Sequence, residues 1–235
     1  MPYEFLKKEA QALGVTLSPS RLEKLRQYTR LLLDWNERFN LTAVKEERAI
    51  AERHYLDSLT LLKAYSFAQG ARLLDVGSGA GFPGVPLKLA RPDISLTMLD
   101  SLNKRTVFLA ELSREMEQDN EIIHGRAEEL AHKTQYRESF DAVTARAVAP
   151  LPLLCELCLG LVGPGGVFLA MKGPGAEEEL KQAKSAIEIM GGRLEAVERF
   201  TLPEAGGRSV IIVKKISQTP PKYPRSYGKM SKTPL

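Results

Sequence analysis

Apolar residues recur along this chain with two periods, and the change between them falls near residue 70. Before it, Leu22, Leu25, Tyr28, Leu32, Trp35 and Phe39 are spaced three and four apart, which lays one apolar stripe along a helix. Ser18-Pro19-Ser20 supplies a start signal, so the pattern predicts a helix over 18–39 with Trp35 as a core residue. Asn40-Leu41-Thr42 interrupts it, and a second helix is predicted over 46–62. That helix carries His54 and Asp57 one turn apart, either as an ordinary polar face or aimed at a cleft. From residue 71 short apolar runs alternate with helical patterns. The expected strands are 72–75, 94–99, 121–124, 140–145, 166–172, 193–201 and 208–215. The expected helices are 84–90, 103–117, 126–132, 149–161 and 175–190. Five strand–helix units and a closing hairpin predict a doubly wound, mostly parallel α/β sheet of seven strands with an antiparallel edge. The expected division is a helical extension over 1–66, a ligand-binding domain over 67–216 and an arm over 217–235. Pro220, Pro221, Pro224 and Pro234 stand among lysines in that arm, which predicts an extended, mobile segment without regular structure.

Ligands of such sheets bind outside the carboxyl ends of the strands, which singles out Asp75–Phe82, Asp100–Leu102, His124–Glu129 and Ala145–Ala147. The first group reads Asp75-Val-Gly77-Ser-Gly79-Ala-Gly81-Phe82-Pro-Gly84. Glycines at this spacing let a backbone turn tightly and approach a ligand closely. Gly79, Gly81 and Gly84 formally satisfy the dinucleotide pattern. Asp75 argues against it, because a carboxylate there repels a pyrophosphate and suits the cationic amino-acid end of S-adenosylmethionine. The chain is also short for a separate substrate domain. Gly163-Pro-Gly-Gly166 before Val167–Met171 resembles the fifth strand of class I methyltransferases. The expected cofactor is therefore S-adenosylmethionine and the expected fold a class I, Rossmann-like methyltransferase. Asp100 then accepts the ribose hydroxyls, caps the next helix, or does both. The backbone of Ala127 and the side chain of Glu128 meet the adenine edge, or Glu128 merely favours a helix start. Phe82 packs against the methionine portion or wedges the first helix onto the sheet.

Composition changes this picture in two ways. The only cysteines, Cys155 and Cys158, are one helical turn apart. They read as two buried core residues, since zinc would want a second ligand pair. No metal is expected, and unpaired cysteines with no apolar leader or membrane-length apolar run point to a cytoplasmic protein. Charge is uneven. Residues 71–204 hold fifteen basic and twenty acidic side chains, whereas residues 205–235 hold seven basic and none acidic. A basic tail suits a phosphate backbone, or simply solvates the chain.

The segment after the fourth strand speaks to the acceptor. Enzymes that methylate exocyclic amines usually carry an Asp/Asn-Pro-Pro-aromatic loop there, and this chain has Thr144-Ala145-Arg146-Ala147 instead. That fits an acceptor with an in-plane lone pair, such as guanine N7. Arg146 then orders the cofactor pocket or loop, contacts guanine O6 or a phosphate, or forms a structural salt bridge. The motifs together resemble the RsmG (GidB) family, bacterial guanine-N7 methyltransferases of small-subunit ribosomal RNA. They are Trp35-Asn36…Asn40-Leu41-Thr42, His54-Tyr-Leu-Asp57-Ser58-Leu59, Leu74–Gly84, Asp100-Ser-Leu-Asn-Lys-Arg105, Gly125-Arg-Ala-Glu128, Ala145-Arg-Ala-Val-Ala-Pro150, Lys172-Gly173 and Tyr223-Pro-Arg225. The resemblance implies cofactor contacts at Gly77, Phe82, Asp100, Ser101, Leu102, Ala127, Glu128 and Arg146, to which the glycine loop adds Asp75 and Gly79. It implies 16S ribosomal RNA or the small subunit as partner. The expected RNA contacts are Lys172, Arg208, Lys222, Arg225, Lys229 and Lys232, on a monomer that needs no membrane. Two other readings stay open: a methyltransferase for a small molecule or protein, and an RNA-binding protein that senses the cofactor without turnover.

Overall fold

The leucine–aromatic stripe of the first seventy residues has to be buried, and it is buried against the sheet. The computed structural model describes residues 1–235. Helix α1 (Pro2–Ala12) precedes α2 (Pro19–Phe39), which starts where the Ser18 side chain accepts the Arg21 amide at 3.3 Å and ends on Asn40 in the left-handed region. The helix expected over 46–62 is a rod in three pieces: α3 (Glu47–Ile50), a π-helical turn (Ala51–Leu56) and α4 (Asp57–Ala64).

The strands are β1 (Arg72–Val76), β2 (Ser95–Asp100), β3 (Glu121–His124), β4 (Phe140–Arg146), β5 (Val162–Lys172), β6 (Gly192–Leu202) and β7 (Gly206–Lys215). They form one sheet in the order β3-β2-β1-β4-β5-β7-β6. Only β7 runs against the others, and it lies between β5 and β6, so the antiparallel strand is one in from the edge. The helices between strands are α5 (Gly84–Ala90), α6 (Asn103–Glu115), α7 (Ala127–Leu130), α8 (Leu151–Leu159) and α9 (Ala176–Ile189).

Side chains alternate across the pleat, so Leu73 and Leu74 feed different cores. Leu73, Val85, Leu96, Phe108 and Ile212 pack with Leu22, Leu25, Tyr28, Leu32, Tyr55 and Leu59. The N-terminal helices are thus one of the two layers on the sheet. Trp35 is half-buried there, with its ring centre 5.2 Å from Phe39 and 5.4 Å from Phe108. Leu74, Val143, Phe168 and Ile211 pack with α8, α9, Tyr223 and Met230. Cys155 and Cys158 are free and fully buried in this second core, and burial pushes the Cys155 thiol up to about 12. No helix is long and apolar enough to cross a membrane.

The last nineteen residues depart from the expectation of a mobile arm. Arg225 lies on the buried carboxylate of Glu156, with Nε to Oε1 at 2.9 Å and Nη2 to Oε2 at 2.7 Å. Its own amide adds a third bond to Glu156 at 2.8 Å. Arg137 donates to the carbonyls of Thr219 and Tyr223, His132 bonds the carbonyl of Pro224, and Glu138 accepts the Thr219 amide. Met230 is fully buried, on a short helix α10 (Tyr227–Lys232). The prolines set the path, but buried ion pairs and one apolar plug fix it. The basic stretch shrinks accordingly. Lys215 is buried, donating to the carbonyls of Leu159 and Met190, and Arg225 is spent on Glu156. Lys222, Lys229 and Lys232 remain exposed on the arm. Glu156→Ala removes the charged hydrogen bonds that hold Arg225, itself part-exposed, so the unfolding free energy should fall by about 2–3 kcal/mol. Urea unfolding reads this, and a loss below about 1 kcal/mol means the arm is not anchored here.

Candidate active site: two clefts with one shared wall

The loop after β1 is built on left-handed glycines: Gly77, Gly79 and Gly81 have φ of +72°, +56° and +90°. A Cβ on Gly81 would stand 2.6 Å from Tyr28 Oη and 2.8 Å from Leu112 Cδ2, so the loop presses directly on the N-terminal layer. The Tyr28 hydroxyl donates to the carbonyl of Ala80. Asp100, at the end of β2, holds the other side. Its carboxylate accepts the Gly79 amide at 2.9 Å and the Leu102 amide at 2.9 Å, with Arg105 at 3.3 Å. Asp100 thus holds the residue before α6 and not a helical amide, so it is not the side-chain cap of that helix. Oδ2 is filled by Gly79 and Arg105, and Oδ1 keeps one lone pair for a further donor.

Gly77, Asp100 and Arg105 of this set line a cleft of about 210 Å3 at the carboxyl ends of β1, β2 and β3. Its lining includes Gly77, Asp100, Ser101, Arg126, Ala127, Glu128, Leu157 and Tyr227. Glu128 is nearly buried and accepts from Arg126 Nε at 2.6 Å.

Asp75 does not reach this cleft. It is fully buried, its Oδ2 accepts the Gly84 amide at 3.0 Å, and its Oδ1 has no partner. The pleat turns it beneath the loop, where it anchors the start of α5 instead of facing an ammonium. Burial raises its carboxyl to about 7, against the lowering pull of the Gly84 amide.

Phe82, Leu102 and Arg146, which the motifs place on the cofactor, also lie outside this lining, as does Gly79. Phe82 is buried and stacks on His54 at 4.5 Å and Tyr28 at 5.2 Å. Above it, Arg146 is 5.2 Å from the ring centre, reaches Asp57 Oδ2 at 2.8 Å, and donates to the Arg53 carbonyl. Asp57 Oδ1 faces Arg208 Nε at 3.4 Å. His54 Nε2 lies 2.9 Å from Thr42 Oγ1. Burial, with the nearby Arg146 charge, lowers the His54 imidazole to about 3, so it is neutral at ordinary pH. Asp57 is thus salt-bridged, as the plainer reading of this helix face has it, and both Asp57 and His54 line a cleft.

A second, open cleft is lined by this group with Lys172 and Glu179. Lys172 Nζ lies 2.7 Å from Glu179 Oε2, which also accepts the Leu151 amide at 2.7 Å. Ala147 and Val148 line both clefts, so one short segment separates them. Ala147 has φ +56°, and a Cβ on Gly77 would meet Val148 Cγ2 at 2.6 Å. Of the expected RNA contacts, Lys172 and Arg208 reach this second cleft. Arg225 does not, being fixed on Glu156.

The family described as rRNA small subunit methyltransferase G, GidB, matches residues 21–206. The chain belongs to that family. Similar relatives carry the name ribosomal RNA small subunit methyltransferase G. One from Geobacillus sp. strain WCH70 is 46% identical over 224 residues, 94% of each chain. One from Pelotomaculum thermopropionicum is 45% identical over 237 residues, 99% of this chain and 98% of its own. Among solved structures, a ribosomal protein L11 methylase from Lactobacillus delbrueckii superposes with a TM-score of 0.53 at 15% identity, over 70% of this chain and 79% of its own. Fibrillarin of Aeropyrum pernix, with natively bound S-adenosyl-L-methionine, gives 0.50 at 15% identity, over 65% and 71%. The fold of this GidB protein is the class I methyltransferase fold.

Arg53, Arg105, Val148, Leu157 and Tyr227 line the clefts without having been singled out from the sequence. The carboxyl-end rule covered Arg126 within 124–129 and stopped one residue short of Val148, and Arg53 precedes His54, but nothing local marked Leu157 or Tyr227.

Two outcomes test this geometry. Gly81→Ala meets Tyr28 and Leu112 as well as an unfavourable φ, whereas Gly79→Ala meets nothing closer than 3.8 Å. Urea unfolding should show a loss of about 1 kcal/mol at Gly79 and clearly more at Gly81. Asp75 gives a pH dependence. Its unfolded pKa is about 4 and its folded value about 7, so the native state binds more protons between those values. This group therefore lowers stability as pH rises from about 4 to about 7. Asp75→Asn should stabilise the protein more at pH 8 than at pH 5; equal effects at both would contradict the raised carboxyl.

Proposed function

We propose that the protein methylates N7 of a guanine in 16S ribosomal RNA, using S-adenosylmethionine, as a cytoplasmic enzyme. The observation that carries this is the meeting of two unlike clefts across Ala147 and Val148, the second lined by four cations, with both its carboxylates, Asp57 and Glu179, ion-paired. The donor set of the first cleft fits the cofactor. Asp100 Oδ1 has acceptor capacity left for a ribose hydroxyl, and Val76, Leu99, Ala127 and Leu157 give an apolar bed for a base. Bound there, S-adenosylmethionine supplies a methyl group on a sulfonium, already an electrophile.

The chain's own residues then position the acceptor. Arg53, Arg146, Lys172 and Arg208 line the second cleft, and guanidinium and ammonium groups hold RNA phosphates and guanine edges. Asp57 is engaged by Arg146 and Arg208, and His54 is held to about 3, so neither removes a proton efficiently at neutral pH. Guanine N7 needs none removed, because its lone pair lies in the ring plane. Catalysis is then mostly alignment of N7 on the methyl, at about 3 Å. Lys222, Lys229 and Lys232 extend the cationic surface along the arm.

Incubation with labelled S-adenosylmethionine and 16S RNA or subunits should place label in RNA. Mild reduction and aniline should then cut the product at one new guanosine; label without such a cut would mean another acceptor atom. The single-turnover rate should be nearly flat from pH 6 to 9, since no group must gain or lose a proton. Arg146→Ala should lower turnover and cost about 1–3 kcal/mol of stability by removing the charged hydrogen bond to Asp57, which Arg208 still faces. Because Arg146 lies outside the first cleft, cofactor affinity should stay near wild type; a parallel loss there would return Arg146 to the cofactor.

A further inference from the structure

The aromatic ring of Tyr227 lines the first cleft although it comes from the far end of the chain, about seventy residues beyond Leu157, its neighbour in the lining. The ring is 41% exposed. Its backbone has little freedom, because Arg225 is fixed on buried Glu156 two residues before it and Met230 is buried three residues after. The Arg126 guanidinium lies 4.9 Å from the ring centre, and Glu128 holds that guanidinium at 2.6 Å. A cation over an aromatic face fixes the ring's tilt. Arg126 and Glu128 line the same cleft.

We propose that Tyr227 is an adenine-stacking wall of the cofactor site, carried there by the arm. This rests on reading the first cleft as the cofactor cleft. With Asp100 on the ribose, the base takes the rest of the lining, which includes Ala127, Leu157 and Tyr227. Ala127 and Leu157 are aliphatic, and Tyr227 is the one aromatic side chain in the lining. Every nucleobase presents a π-face, and an aromatic partner holds it without reading its edges. The segment read from its composition as an RNA arm thus completes the small-molecule site. Losing the arm loses cofactor affinity even where RNA is absent.

The test is calorimetry on the full chain with S-adenosylhomocysteine and, separately, adenosine. Tyr227→Ala should weaken both by about tenfold, the lower part of the range for base stacking. Tyr227→Phe should bind as wild type, because the ring and not the hydroxyl acts. Asp100→Ala serves as the control for the cleft. If Asp100→Ala weakens S-adenosylhomocysteine and Tyr227→Ala does not, the stacking wall is wrong while the cofactor cleft stands. If neither substitution matters, the cleft itself is misassigned. A Phe variant as weak as the Ala variant, or a loss for S-adenosylhomocysteine without a loss for adenosine, overturns the assignment of the ring to the base. The urea midpoint of Tyr227→Ala should match wild type, which separates a lost contact from a displaced arm.

Discussion

The ion pair between Arg146 and Asp57 joins everything the chemistry needs. Arg146 ends β4, the strand at which the sheet order reverses, and Asp57 opens α4 in the N-terminal layer. Their 2.8 Å contact is largely buried, at 15% and 7% side-chain exposure. Buried pairs of this kind contribute little net stability yet are costly to break, so the two layers are held in one relative position more than they are strengthened. The same guanidinium covers Phe82, the residue that ends the glycine loop. One side chain therefore relates the glycine loop, the strand end and the helical layer. The second cleft is the space left around it.

Much of this was legible because it is local. The stripe from Leu22 to Phe39, the strand–helix alternation and the glycine loop all lie within windows of about twenty residues, where period and turn chemistry decide. Asp100, Ser101, Ala127 and Glu128 came from the rule that strand ends face ligands. Asp75 and Phe82 also stand at a strand end and in its loop. The pleat and the N-terminal aromatics turned them inward, and no local pattern reports which way a loop side chain will lean. The arm was misread for a related reason. Prolines and lysines without carboxylates look solvated, yet Glu156 pairs with Arg225 across 69 positions and Lys215 finds carbonyls at Leu159 and Met190. Charge counted along a sequence does not tell a cation on the surface from one inside.

The N-terminal layer also reaches the opposite edge of the sheet. Glu52, buried in the π-helical turn, accepts the amides of Glu204 and Ala205 at the tip of the β6–β7 hairpin, at 2.6 and 3.1 Å. The turn that carries Arg53 and His54 and the hairpin that carries Arg208 thus share a carboxylate. The cations of the second cleft come from four elements, but contacts of this kind tie those elements together, so a ligand of that cleft would have less order to impose on binding.

The π-helical turn itself has a consequence for which changes of length the chain tolerates. Residues 51–56 hold a wider turn than an α-helix has, and such turns behave as one residue accommodated within a helix. Removing one residue here would let the rod close into a continuous α-helix. Each helical position is worth about 100° of rotation, so Arg53 and His54 would swing away from the face that Asp57 presents to Arg146. A surface loop absorbs a one-residue deletion with little effect. In this rod the same deletion would leave the composition almost unchanged and take apart the corner on which the two layers meet.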